Sequence, residues 1–73
     1  MEHVNNPWQS RFETNARARK VYYLTALLTK HEISAEDVIL MTPEHWAMAA
    51  KAAGVNAPSV RTQAAVIDRM KGL

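Results

Sequence analysis

Helix start and stop signals constrain this chain more than any other feature. The segment "MTPEHWAMAAKAAG", residues 41–54, contains both kinds. Thr42 can cap a helix N-terminus, and Pro43 then takes the first helical position, where its missing N–H costs nothing. Gly54 accepts the left-handed backbone conformation that ends many helices. The segment therefore predicts one helix, with Trp46 buried on its inner side.

A longer helix is predicted to precede this one. Ser10 starts a capping-box pattern, so the helix should begin near Arg11, or at Thr14 or Asn15, and run to about His31. Its second half carries apolar residues at helical spacing: Val21, Leu24, Leu27 and Leu28. The first half carries the basic cluster "RARK" instead, so the two halves have different roles.

Two shorter helices complete the pattern. Ser34 is predicted to cap the second helix, whose core residues are Val38, Ile39 and Leu40. Asn56 is predicted to cap the fourth helix, with Pro58 in its first turn and Gly72 at its end. The apolar face of the fourth helix contains Val60, Ala64, Val66, Ile67 and Met70. Gln63 falls within that face, either as a boundary residue paired with the backbone or as a functional residue.

No segment alternates as a strand does, so the fold class is all-α. The chain of 73 residues without cysteine predicts a small single-domain bundle of about four helices, monomeric and containing a helix-turn-helix-like corner. Residues 1–9 are expected to form a flexible N-terminal arm and residues 10–73 the helical domain. No apolar run approaches the roughly 20 residues that cross a membrane, and no secretion signal is visible, so we expect a cytoplasmic protein.

Charge is distributed unevenly along the chain. Residues 1–20 contain four basic and two acidic residues, and residues 57–73 contain three basic and one acidic. Residues 34–56 contain one basic and three acidic residues. Basic ends around an acidic middle indicate contact with phosphate or with an acidic protein surface, although ordinary solvated helix faces would have the same composition.

The basic N-terminal region also contains aromatic residues, in "PWQSRF" and then "NARARK". This mixture is typical of surfaces that bind RNA, by stacking and phosphate contacts, or an acidic protein groove. The candidate partner-binding residues are Trp8, Arg11, Arg17, Arg19 and Lys20. In the alternative interpretation, the aromatic residues fold back as a lid on the core.

The run "AKAAGVNAPSV", residues 50–60, resembles the helix-turn-helix of bacterial repressors, with its pattern A-x-x-A-G-V-S-x-x-T-V. The resemblance implies a second helix that faces the DNA major groove. Asn56, Arg61 and Thr62 would then contact nucleic acid. Ala57 and Pro58 offer no hydrogen bond to a base edge, which weakens the reading face. An ordinary helix–glycine–helix corner is the alternative.

Catalytic and metal-binding patterns are missing from the sequence. His3, His31 and His45 are scattered and show no metal-ligand spacing. There is no glycine-rich phosphate loop and no nucleophile with a neighbouring base. The sequence therefore predicts a protein that is not an enzyme and that has no metal site and no cofactor.

Small size, basic ends and the "AKAAGVNAPSVR" and "RARK" runs together resemble phage-encoded regulators of bacterial RNA polymerase. The resemblance implies a transcription inhibitor or antiterminator that acts in the host cytoplasm. The basic residues would reach an acidic polymerase surface or emerging RNA, and contact with RNA or DNA is a further expectation. The alternative function is a sequence-specific DNA-binding helix-turn-helix repressor or an excisionase-like factor.

Overall fold

The computed structural model describes the backbone of residues 7–73 and the side chains of residues 15–73. Within these residues the chain forms four helices and no strand: α1 (Pro7–Lys30), α2 (Ala35–Ile39), α3 (Pro43–Ala53) and α4 (Val60–Lys71). The predicted small all-α bundle of four helices is confirmed. The division into an arm and a domain stays a prediction, because residues 1–6 of the arm lie outside the described residues.

The first helix begins earlier than expected, at Pro7 rather than near Arg11. Pro7 takes the first helical position, the same use that the chain makes of Pro43. A proline after polar residues resembles a loop signal, but its fixed φ angle also suits a helix start.

The caps of α2 and α3 follow the sequence closely. The Asp37 N–H donates to Ser34 Oγ at 3.2 Å, and the His45 N–H donates to Thr42 Oγ1 at 3.2 Å. His45 Nδ1 in turn accepts from the Thr42 N–H at 3.4 Å. This reciprocal capping box uses histidine where glutamate or glutamine is usual. Both predicted caps are confirmed.

The helices α1 and α3 end in the same hydrogen-bonded motif. After α3, Gly54 has φ 76°, and the Val55 N–H donates to the Ala50 carbonyl at 2.9 Å. After α1, Glu32 has φ 60°, and the Ile33 N–H donates to the Leu28 carbonyl at 3.0 Å. Both are Schellman caps, but only one has the glycine that favours a positive φ.

The start of α4 differs from the prediction. Ser59 is the N-cap, and its Oγ accepts from the Thr62 N–H at 3.3 Å. Asn56 does not cap this helix, because Pro58 disfavours the helical conformation at Ala57, which would be the first helical residue after an Asn56 cap. Gly72 does end α4, as predicted.

The core lies where α1 meets the other helices. The helix pairs that pack closely are α1 with α4, α1 with α3, and α2 with α4. The buried apolar residues are Val21, Leu24, Leu28, Val38, Trp46, Ala50, Val66 and Met70. The prediction that Trp46 is a core residue is therefore confirmed.

Several residues that were predicted from the sequence to lie in the core are exposed instead: Ile39, Leu40, Val60 and Ala64. Val60 is the first residue of α4, and Ile39 and Leu40 lie at the end of the five-residue α2. A helix end has neighbours on fewer sides than a helix centre. The helical spacing of apolar residues, taken alone, therefore overestimates burial at a helix end. Gln63 donates from Nε2 to the Pro58 carbonyl at 3.2 Å, which confirms the boundary interpretation.

The predicted helix-turn-helix packing does not form. Six residues, 54–59, connect α3 to α4, whereas the turn of a helix-turn-helix has about three or four. The helices α3 and α4 are also not among the closely packed pairs, because each of them packs on α1. The alternative of a helix–glycine–helix corner describes this connection better.

Candidate functional site

The basic half of α1 extends into solvent. Residues 15–19 are exposed, Lys20 is half-buried, and Val21 is the first buried residue of the described part of α1. Arg17 and Arg19 point about 200° apart around the helix, so they face different directions. This half of the helix thus presents cations rather than core.

Two of these cations border a shallow cleft of about 440 Å³ between α1 and the residues that follow α3. We call it the basic cleft, and its lining residues are Ala16, Arg19, Lys20, Tyr23, Gly54, Val55 and Asn56. The cleft joins residues that the sequence placed in two different hypotheses. Arg19 and Lys20 belonged to the partner-binding set, and Asn56 belonged to the DNA-binding set.

The cations of the basic cleft lie beside the C-terminal end of α3. That end carries a partial negative charge, because the last carbonyl groups of a helix have few intrahelical partners. Cations are favoured there. The dipole of α3 therefore favours the positive charges of Arg19 and Lys20 beside it.

The cleft can bind an anion and an adjacent flat group. Arginine and lysine donate charge-assisted hydrogen bonds to phosphate or carboxylate oxygens, and the Asn56 amide can donate another. Tyr23 is 44% exposed and lies four residues after Arg19, on the same side of the helix. Its ring offers a stacking surface to a base or an aromatic side chain.

Tyr23 was not among the site residues predicted from the sequence. It stands next to Tyr22, and the two rings are in edge contact at 5.6 Å. Tyr22, however, lies under the Arg69 guanidinium, which is 5.8 Å from the ring centroid, and so it contributes to packing between α1 and α4. The spacing of Tyr23 from Arg19 and Lys20 was the available signal.

The DNA-binding set does not form one surface. Thr62 is buried, and its hydroxyl lies 3.2 Å from the Ser59 hydroxyl, so its side chain is not part of the exposed surface of α4. Asn56 lies in the connection before α4 and lines the basic cleft. Arg61 is exposed on α4. The side chains of Trp8 and Arg11 lie outside the described residues.

No three acidic or histidine side chains within residues 15–73 come together in a way that could hold a metal ion. In the described part of the chain, no helix has the length and apolar character needed to span a bilayer. No protein-family model, curated protein or solved structure matches the chain.

Proposed function

We propose that this chain is a small phage-type transcription regulator that binds bacterial RNA polymerase through the basic half of α1. It would inhibit initiation, termination or both, as a monomer in the host cytoplasm. The observation that carries the proposal is the group of cations Arg17, Arg19 and Lys20 that precedes the buried part of α1, with both arginines exposed and Lys20 half-buried. Trp8 and Arg11 are predicted to extend the same surface.

An acidic protein surface suits this arrangement for an electrostatic reason. Exposed cations that face different directions can contact two carboxylate groups at once, and complementary charge steers the encounter. The fold does not need these cations, because the buried part of α1 starts after them. Binding and stability are therefore separable in this helix.

Contact with RNA is a second part of the proposal. The basic cleft combines two cations with an exposed tyrosine ring, the pairing by which single-stranded RNA is held through phosphate and base. RNA that leaves a polymerase is single-stranded. A regulator docked on the enzyme could therefore hold the transcript in this cleft.

Sequence-specific DNA binding remains the alternative because Arg61 is exposed near the start of α4. It is the weaker proposal, since Thr62 is buried and Asn56 lies outside the helix. A single arginine at the start of a helix gives little discrimination between base pairs.

The test is the double charge reversal Arg17→Glu with Arg19→Glu. We expect it to abolish capture of purified bacterial RNA polymerase and the effect on transcription in vitro. The melting temperature should change little, because exposed charges contribute about 0–1 kcal/mol to stability. The matched control is Arg61→Glu with Lys71→Glu, which makes the same change in net charge on exposed positions of α4.

The two double variants separate the two functions. If the α4 variant alone loses activity, and the protein shifts a specific DNA duplex in a gel, the polymerase-regulator proposal is wrong. Loss of polymerase binding in the α1 variant alone supports the polymerase-regulator proposal.

A further inference from the structure

A second surface lies between α2 and α3. It is a groove of about 430 Å³, which we call the Met groove, lined by Ile33, Asp37, Met41, His45, Met48 and Ala49. It shares no residue with the basic cleft. Its lining is mainly apolar, and Met48 is 69% exposed in the middle of α3.

The exposure of Met48 is not explained by folding. The inner side of α3 already buries Trp46 and Ala50, and Met48 points away from that side. No charged residue occurs on α3 between Glu44 and Lys51, so the outer side of this helix is unusually apolar. Exposed apolar surface of this kind marks interaction sites, and methionine adapts its shape to varied partners.

Acidic residues occur in the lining of the Met groove and next to lining residues in the sequence. Asp37 lines the groove itself, and Glu32, Glu36 and Glu44 each adjoin a lining residue in the sequence. All four carboxylates are on exposed residues. Residues 31–50 contain no lysine and no arginine, so no cation from this segment neutralises them.

We propose that the Met groove binds an amphipathic basic helix of a partner protein. The apolar face of that helix would pack on Met41 and Met48, and its lysine or arginine residues would face these carboxylates. An amphipathic helix in an apolar groove is a common mode of recognition, and the acidic charge selects a basic helix over an acidic one. The proposal is independent of the proposed function, because the cations of α1 take no part in it.

The probe is a labelled synthetic helix with leucine on one face and lysine on the other, and its binding to the full chain is followed by fluorescence anisotropy. A second peptide, with glutamate in place of every lysine, is the matched probe. We expect the lysine peptide to bind at least about tenfold more tightly, a difference of about 1.4 kcal/mol. Equal binding of the two peptides would overturn the proposal, as would no binding of the lysine peptide.

The matched variants are Met48→Lys and Val60→Lys. Both replace an exposed apolar residue by lysine, but only Met48 lines the Met groove, and Val60 is 79% exposed on α4. We expect Met48→Lys to weaken binding of the lysine peptide by about tenfold or more, and Val60→Lys to leave it unchanged. Equal losses would show that the peptide binds elsewhere.

A further variant, Asp37→Asn, tests the acidic charge. This variant should weaken binding of the lysine peptide several-fold. The melting temperature should stay nearly unchanged, since Asp37 is exposed. The oligomeric state is measured in parallel without peptide. Association of the chain with itself that Met48→Lys abolishes would mean that the groove binds a second copy, and would contradict the proposed occupant.

Discussion

The basic cleft and the Met groove lie towards opposite ends of α3 and differ in nearly every property. The cleft, at the C-terminal end, presents cations and a polar amide. The groove, nearer the N-terminal end, presents methionines and the carboxylate of Asp37. The dipole of α3 favours cations at its C-terminal end and anions at its N-terminal end, so it supports both arrangements.

This comparison shows how a chain of 73 residues can carry two surfaces of opposite charge on one core. Glu44 lies in the first turn of α3 and the cations of the basic cleft lie beside its C-terminal end, and the dipole of α3 favours both placements. The two surfaces should also bind by different interactions. The cleft can form charge-assisted hydrogen bonds, whereas the groove can bury apolar surface. They still depend on the same buried residues, since α3 contributes to both.

The largest effect is expected from Trp46→Ala, which should disrupt both surfaces together. Trp46 is 3% exposed in the core beneath α3, and truncating a buried aromatic residue costs about 3–5 kcal/mol. A domain of this size has about 4–11 kcal/mol in total. Thermal melting is the measurement, with the exposed Met48→Ala on the same helix as the control. An unchanged melt would show that the core does not depend on Trp46.

Salt should separate the two surfaces. Raising the salt concentration from about 0.1 M to 0.3 M should weaken binding of single-stranded RNA by about fivefold if the two cations of the basic cleft contact phosphate. Binding of the amphipathic lysine peptide should fall less, because apolar contact is not screened. Titrations of both ligands at matched salt concentrations measure this. Parallel losses would mean that the groove, too, binds by charge alone.

A smaller effect is expected from Gly54→Ala at the edge of the basic cleft. Gly54 has φ 76° and no atom within 4 Å of the position that a Cβ would take, so the cost is backbone strain alone, about 1–2 kcal/mol. Gly72→Ala is the control, because Gly72 has an ordinary helical φ of −87°. We expect a lower melting temperature for the first variant only, and peptide binding to the Met groove should persist in both. Equal melting temperatures for the two variants would show that alanine at position 54 causes no backbone strain.

The smallest effect, of opposite sign, is expected from Glu32→Gly beside the Met groove. Glu32 holds φ 60° without being glycine, and glycine should relieve about 0.5–1 kcal/mol of strain. Chemical denaturation measures the gain. Glu32→Ala is the control, because it removes the same charge but keeps the strained backbone. A gain in both variants would mean that the charge, not the backbone, is unfavourable there.

The parts of the fold that short-range hydrogen bonds decide could be predicted from the sequence. Ser34 and Thr42 cap their helices through groups three residues away, and Gly54 ends α3 through bonds to the preceding turn. The prediction failed at α4 because Asn56 is an equally good capping residue by type. Pro58 ruled that choice out by a steric effect on its neighbour.

The sequence by itself determined the helical class, the caps of α2 and α3, and the division of α1 into a basic half and a core half. Those features depend on residue type and on spacings of a few residues. Only the tertiary structure decided that Asn56 lines the same cleft as Arg19 and Lys20, that Thr62 is buried, and that Met41 and Met48 share a groove. Which helices pack together depends on how several apolar faces are buried at once, and no local pattern of residues specifies that choice.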